Sequence, residues 1–144
     1  MNLKYKVRLR DTDATGVLYF TEQLRMALDA LDDHFPLQNI LKSNDLLLPI
    51  VHVEADYFSP LRVGDEVEIS LNIEKIGTTS FSIGYLFLDP LTKKKVGFVK
   101  IVHVVTSRKE GTPLPIPGNI LTFLTHLTHN RGDEQMNDFE KLIS

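Results

Sequence analysis

The fold of this chain is decided by one stretch, residues 3–35, which reads LKYKVRLRDTDATGVLYFTEQLRMALDALDDHF. Its first eight residues alternate apolar and basic side chains, as in a half-exposed β-strand, and residues 11–16 have the composition of a turn. From about Leu18 to His34 the apolar residues recur at helical spacing. They are Leu24, Leu28, Leu31 and Phe35. Because Pro36 prevents continuation, the stretch predicts a strand, a tight turn and one long amphipathic helix.

Four further segments after Pro49 have the pattern of β-strands. The clearest lies between residues 66 and 74, where branched apolar residues alternate with Glu, Ser and Asn. The other three are residues 51–57, 81–87 and 96–105. The breaks between the four segments, at residues 62–65, 77–78 and 89–90, suit hairpin turns and are too short for crossover helices. The sequence therefore predicts an antiparallel four-strand meander.

The remaining segments complete a single α+β domain. The long connection between Pro36 and Pro49 contains a short predicted turn at residues 37–42, and a small amphipathic helix is predicted from about Gly118 to Leu127. Neither repeats nor a linker divide the chain, and its 144 residues are the usual size of one domain. We predict that the domain covers residues 1–129 and that residues 130–144 form a polar tail.

Composition excludes several classes of function. The net charge of −3 argues against a general nucleic-acid binder. The absence of cysteine excludes thiol nucleophiles, cysteine-based zinc sites and disulfides. The N-terminal residues lack the apolar core of a secretory signal, and no apolar stretch is long enough to span a bilayer. We therefore expect a cytoplasmic protein without membrane insertion.

The acidic turn fits two kinds of site that its surroundings contradict. Asp11, Asp13, Thr15, Gly16 and Glu22 have the spacing of an EF-hand calcium loop. An EF-hand needs an entering helix, whereas the preceding residues alternate like a strand. The first three of these polar residues also match the D-x-D-x-T loop of aspartate-based phosphotransferases. That loop follows a buried parallel strand, which reads as a continuous apolar run.

A third interpretation is thioester hydrolysis by a carboxylate placed before a helix. The thioester carbonyl develops negative charge during attack, and backbone N–H groups at a helix start stabilise such charge. An aspartate such as Asp13 acts there as nucleophile or as general base toward water. A glycine between the two, here Gly16, lets the backbone approach the ligand closely. The same spacing also fits an aspartate that only stabilises its own turn.

Residues 11–20 resemble the signature of the 4-hydroxybenzoyl-CoA thioesterase family, D-x-D-x-x-G-[VI]-[VLI]-[YW]-[YFH]. The resemblance extends over roughly residues 3–127 and implies the hotdog fold, in which an antiparallel five-stranded sheet wraps around one long central helix. It implies that Asp13 is the catalytic carboxylate and that the Phe20 N–H polarises the thioester carbonyl. Gly16 falls on the family's loop glycine. No cofactor and no metal is implied.

Short matches resemble the family branch that hydrolyses 1,4-dihydroxy-2-naphthoyl-CoA in menaquinone and phylloquinone synthesis. They are Tyr19-Phe20, residues 37–40, residues 48–52 and residues 113–115. Gly16, Val17, Tyr19 and His52 are the expected substrate-binding residues. Some relatives place basic residues for the coenzyme A phosphates after the third strand, where this chain has Gly77-Thr78-Thr79. A general short- or medium-chain acyl-CoA thioesterase and a non-enzymatic calcium- or acyl-binding module remain the alternatives.

The resemblance also implies an assembly. Hotdog proteins join two sheets edge to edge and build each site from both subunits, because a five-stranded sheet otherwise leaves its edge strands open. We therefore expect a homodimer or homotetramer that binds an acyl-CoA substrate at the subunit interface.

Overall fold

A computed structural model describes residues 2–35 and 37–129, and the structural statements below refer to these residues. The strands are β1 (Asn2–Lys6), β2 (Leu46–Leu47), β3 (Ile50–Tyr57), β4 (Glu66–Ile76), β5 (Ser80–Leu88), β6 (Lys95–Val104) and β7 (Thr106–Ser107). The helices are α1 (Phe20–His34), α2 (Leu37–Ser43) and α3 (Gly118–His129), with a short 3₁₀ turn at Leu9–Asp11. Among them, no helix has the length and apolar character needed to cross a membrane. The predicted polar tail, residues 130–144, lies outside the described residues.

Five strands form one antiparallel sheet in the order β1-β4-β5-β6-β3, and β2 pairs with β7 in a second, two-stranded sheet. The hairpins predicted at residues 77–78 and 89–90 are confirmed, since β4 pairs with β5 and β5 with β6. The second hairpin is closed by Asp89, whose Oδ1 accepts the N–H groups of Leu91 and Thr92 at 2.9 Å. In this Asx-type turn the Asp89 side chain stabilises the chain reversal by accepting backbone hydrogen bonds.

The prediction of a four-strand meander was wrong at its first connection. Residues 62–65 do make a turn, in which the Asp65 N–H donates to the Arg62 carbonyl at 3.0 Å, but they do not join paired strands. β3 pairs with β6 at one edge of the sheet, while β4 pairs with β1 near the other edge. A turn signal reports that the chain reverses and carries no information about which strand becomes the hydrogen-bonded neighbour.

The long helix was correctly predicted but begins two residues later than its apolar period indicated, at Phe20. Leu18 and Tyr19 are held in the loop because their N–H groups donate to the carbonyls of Leu61 (2.7 Å) and Asp11 (2.8 Å). The buried face of α1 also differs from the predicted leucine stripe. Its buried residues are Gln23, Met26, Ala27, Ala30 and Leu31, and Leu24 and Leu28 lie at its margin. Alanines at the centre of this face allow the helix to approach the sheet closely.

The single long helix of the prediction is one of three. α1 is the longest of them and packs on β4 and β6, while α3 also packs on β4. The rings of Phe35 and Phe123 stack with centroids 4.0 Å apart, which joins the end of α1 to α3 in one apolar core. The predicted turn at residues 37–42 is the helix α2, and the last helix extends from the predicted start to His129. The consequence for the site is that one end of α1 is joined to α3 through Phe35, while its other end, at Phe20, is exposed.

Candidate active site

The acidic turn places Asp13 at the surface between β1 and α1. Its carboxylate Oδ1 accepts three hydrogen bonds from its own turn: the Thr15 hydroxyl at 2.6 Å, the Thr15 N–H at 2.8 Å and the Val17 N–H at 3.3 Å. These bonds, led by that of the Thr15 hydroxyl, hold the pKa of Asp13 below its usual value because they stabilise the ionised form. An exposed carboxylate with its Oδ1 fixed in this way is oriented, ionised and accessible to a ligand.

Asp11 has a different environment, although it lies only two residues away. Its side chain is buried, and both of its oxygens are engaged: Oδ1 accepts from Arg25 Nη2 at 2.9 Å and Oδ2 from the Arg8 N–H at 2.9 Å. Its backbone carbonyl accepts the Tyr19 N–H at 2.8 Å. Asp11 therefore links three parts of the protein: Arg8 after β1, Tyr19 before α1, and Arg25 within α1. These contacts give Asp11 a structural role.

Phe20 is the first residue of α1 and its side chain is 58% exposed. The first N–H groups of a helix have no carbonyl partner within it, so the Phe20 N–H is oriented outward with the positive end of the helix dipole behind it. The preceding residue, Tyr19, has extended backbone and makes no side-chain capping hydrogen bond to the helix. This helix start thus offers a donor that is suited to a developing oxyanion.

The loop that carries Asp13 is tied to the segment after β3. The Leu18 N–H donates to the Leu61 carbonyl at 2.7 Å, and the Val63 N–H donates to the Gly16 carbonyl at 3.1 Å. Gly16 itself has a φ of +79°, in the left-handed region that glycine adopts at little cost. The turn at residues 62–65 therefore supports the acidic loop and does not join a hairpin.

A cleft of about 320 Å³ opens where this loop, the start of α1 and the end of β3 meet. Its lining residues are Val17, Leu18, Phe20, Gln23, Tyr57, Phe58, Ser59, Pro60 and Leu61. Two of the predicted site residues, Val17 and Phe20, lie in the wall of this cleft. The cleft volume lies within the roughly 300–1,000 Å³ of small-molecule sites.

Two cleft residues that sequence reasoning missed connect α1 to the sheet. The Tyr57 hydroxyl donates to the Phe20 carbonyl at 2.6 Å, and partial burial raises the pKa of Tyr57. Gln23 is buried, and its Nε2 donates to the carbonyls of Asp56 at 3.2 Å and Phe98 at 3.4 Å. Two features of the sequence could have indicated these residues. Gln23 is a polar residue on the apolar face of the helix, and Tyr57 and Phe58 are adjacent aromatics at the end of β3.

The other predicted site residues lie around the cleft rather than in its wall. The Tyr19 ring contacts the Phe20 ring with centroids 4.8 Å apart. Asp13 adjoins the cleft through Val17, to whose carbonyl its backbone N–H donates at 2.9 Å. His52 is on the exposed face of β3, where its Nε2 lies 2.9 Å from Glu54 Oε1. The structure therefore brings the acidic loop and the helix start together and leaves His52 on the sheet edge.

The local structure also bears on the two alternative loops. The residues before Asp11 form a strand and a 3₁₀ turn rather than the entering helix of an EF-hand, and both Asp11 oxygens are already bonded within the protein. β1 is an antiparallel edge strand, not the buried parallel strand that precedes the phosphotransferase loop. Neither alternative fits the elements that surround the turn.

Comparison with known proteins gives a family and a fold. The family model for the thioesterase-like superfamily matches residues 7–124. A 1,4-dihydroxy-2-naphthoyl-CoA hydrolase from Prochlorococcus marinus is 35% identical over 71% of this chain and 84% of its own length. One from Synechocystis is 30% identical over 86% of this chain and 94% of its own length.

A solved structure shows the same architecture. The crystal structure of a 1,4-dihydroxy-2-naphthoyl-CoA thioesterase from Synechocystis superposes with a TM-score of 0.79 at 29% identity, covering 86% of this chain and 94% of that one. This likeness confirms the predicted hotdog architecture with its five-stranded antiparallel sheet. Because the family model matches residues 7–124, most of its length, the chain belongs to the thioesterase-like superfamily.

Proposed function

We propose that this protein hydrolyses 1,4-dihydroxy-2-naphthoyl-CoA to the free acid and coenzyme A, as a cytoplasmic enzyme of menaquinone or phylloquinone synthesis. The observation that carries the proposal is the 30–35% identity to hydrolases of that name, over 71–86% of the chain. The geometry of the acidic loop and of the cleft agrees with it. α1 takes the role of the central helix, whose N-terminus meets the substrate.

The chemistry follows from the two groups at the loop and the helix. Asp13 is ionised, oriented and exposed, so it attacks the thioester carbonyl directly or removes a proton from an attacking water. The Phe20 N–H holds the carbonyl oxygen as it gains negative charge. The carbon–sulfur bond then breaks, and the sulfur leaves as the coenzyme A thiolate, which takes a proton from solvent or, in the general-base route, from Asp13. After direct attack the acyl group is held as an anhydride of Asp13, and water hydrolyses this anhydride to release the free acid and restore the carboxylate. Asp11, buried and paired with Arg25, supports the loop from behind.

The lining of the cleft suits an aromatic acyl group. Phe20, Tyr57 and Phe58 are each about half exposed, so about half of their surface is not covered by this chain. Flat aromatic rings pack on such faces with centroids roughly 4.5–7 Å apart. Val17 lines the same opening, Gly16 precedes it in the loop, and Tyr19 extends the aromatic surface beyond Phe20. A short aliphatic acyl group would leave most of this aromatic surface exposed to solvent.

The two edges of the sheet support a dimer through β3. The edge strand β1 is five residues long and carries lysines at its exposed positions, a common protection against pairing. β3 is eight residues long, and its exposed side chains include Ile50, Val51 and Val53. An open apolar edge of this kind is covered when a second copy pairs with it. His52 lies on this strand, so we propose that it contacts substrate in the partner subunit's cleft, in a homodimer or homotetramer.

The test is a panel of purified thioesters compared by kcat/KM: 1,4-dihydroxy-2-naphthoyl-CoA, 4-hydroxybenzoyl-CoA, and short and long aliphatic acyl-CoAs. We expect at least a tenfold preference for the naphthoyl ester. Tenfold corresponds to about 1.4 kcal/mol, or roughly 55 Å² of additional apolar burial at about 25 cal/mol per Å². Equal or faster hydrolysis of aliphatic esters would leave a general acyl-CoA thioesterase. A monomer in light scattering at assay concentration would contradict the proposed assembly.

A further inference from the structure

We propose that Tyr57 and Gln23 are positioning residues, which hold the first turn of α1 against the sheet and thereby set the place of the Phe20 N–H in the cleft. The inference rests on the proposed thioester hydrolysis and adds to it the residues that aim its oxyanion donor.

The first tie is the hydroxyl of Tyr57. It donates at 2.6 Å to the carbonyl of Phe20, the residue whose own N–H is the proposed oxyanion donor. Tyr57 is the last residue of β3, and its ring forms part of the cleft wall. A single oxygen therefore joins the wall of the cleft to the start of the helix.

The second tie is the amide of Gln23, one helical turn further along. Its Nε2 donates to backbone carbonyls of two neighbouring strands, Asp56 of β3 and Phe98 of β6. The space for this amide exists because residue 97 is glycine: a Cβ built there would lie 2.5 Å from Gln23 Oε1. The buried amide of Gln23 and Gly97 beneath it thus form one packing contact between α1 and the sheet.

The hydrogen bonds of Tyr57 and Gln23 matter because the start of α1 has no side-chain capping hydrogen bond. Tyr19 provides no side-chain cap, so the first turn is located by the loop bonds behind it and by Tyr57 and Gln23 at its sheet side. A backbone donor stabilises an oxyanion only when it lies within hydrogen-bond distance of where the oxygen will be. Small displacements of a positioned group reduce turnover strongly while substrate contacts elsewhere persist.

The test removes one oxygen at the site and one oxygen away from it. In Tyr57→Phe we expect kcat to fall about tenfold to a hundredfold, with KM and the unfolding midpoint close to those of the parent protein. Tyr5→Phe is the matched control, because the Tyr5 hydroxyl also donates at 2.6 Å, to Asp33 Oδ2, and Tyr5 does not line the cleft. This control should retain the parental kcat.

A second variant displaces the amide without touching the cleft aromatics. Gly97→Ala forces Gln23 to move, so its kcat should fall as in Tyr57→Phe. Gly118→Ala, where an added Cβ meets nothing within 4 Å, is the control for the glycine-to-alanine change. If Gly97→Ala does not fold, Tyr57→Phe alone decides the outcome.

A thioether analogue of the substrate, which has CH₂ in place of the carbonyl, separates positioning from binding. The analogue has no oxygen for the Phe20 N–H, so its Kd should be the same for Tyr57→Phe and the parent protein. The kcat for the thioester substrate should nevertheless fall in that variant. A weaker Kd with unchanged kcat, or parental values for both, would overturn the inference. Asp13→Asn is assayed beside it: if that variant is inactive and Tyr57→Phe is fully active, only the positioning role fails. Parental turnover in Asp13→Asn would instead contradict the proposed catalytic site.

Discussion

The segment between β1 and α1 has two halves that use an aspartate in opposite ways. In residues 8–11, Asp11 is 4% exposed and bonds to Arg25 of the helix, so it joins two elements. In residues 13–17, Asp13 is exposed and its carboxylate bonds only to its own turn. The same residue type thus holds the fold at one position and is presented to solvent two residues later. The contrast supports a structural role for the first half and the proposed catalytic role for the second.

The largest expected effect is that of Asp13→Asn on turnover. The change keeps the shape of the side chain but removes the base or nucleophile, so kcat should fall by about 10²–10⁴. Because Asp13 is exposed, the urea midpoint of unfolding should stay close to the parental value. Thiol release from the acyl-CoA substrate measures the first quantity and circular dichroism the second.

Two outcomes would break the contrast at this position. Parental turnover in Asp13→Asn together with an inactive Asp11→Asn would move the catalytic role to the buried aspartate. Loss of activity of the parent protein in excess chelator would point to a metal-dependent site in the loop, since hydrolysis by a carboxylate and a backbone N–H needs no cation.

The second prediction concerns stability. Asp11→Ala removes the acceptor of the Arg8 N–H and one partner of Arg25, and should cost about 1.5–3 kcal/mol of unfolding free energy, measured by urea denaturation. Arg25 keeps Glu22 and Asp29 as partners, so its charge is not left unpaired.

Asp29→Ala is the matched control for this change, because it removes an exposed partner of the same arginine and should cost less than about 1 kcal/mol. An equal loss of unfolding free energy in both variants would mean that burial of Asp11 adds no stability beyond that of an exposed ion pair.

The smallest effect is a shift in pH dependence. The Thr15 hydroxyl lowers the pKa of Asp13 because it donates to the ionised carboxylate, so Thr15→Val should raise that pKa. As pH falls, the variant's aspartate then becomes protonated earlier, and the acidic limb of its kcat/KM profile should lie at higher pH.

Thr12→Val tests whether this shift belongs to the exposed half alone. The Thr12 hydroxyl donates to the Leu9 carbonyl at 2.7 Å and does not touch Asp13. Its acidic limb should coincide with that of the parent. Coincidence of all three profiles would show that Asp13 does not set the acidic limb.

Much of the fold followed from local pattern. The strands predicted at residues 51–57 and 81–87 are Ile50–Tyr57 and Ser80–Leu88, and the predicted turn after Pro36 is a helix. Periodicity predicts such elements because a side chain's face depends on its neighbours in the chain. The start of α1 was misplaced because the bonds that keep Leu18 and Tyr19 out of the helix come from Leu61 and Asp11. The expected substrate role of His52 remains a prediction.

Local sequence pattern was enough to predict the order strand, acidic turn, long helix and further strands, and to select the loop of residues 11–20 as the candidate site. Three features depend on contacts between distant parts of the chain: β3 lies at the far edge beside β6, Gln23 and Tyr57 line the cleft, and Asp11 is buried while Asp13 is exposed. The physical reason is the range of the interactions. Periodicity and turn chemistry act over a few residues, whereas strand pairing, burial and the Tyr57–Phe20 hydrogen bond join residues that are distant in the chain.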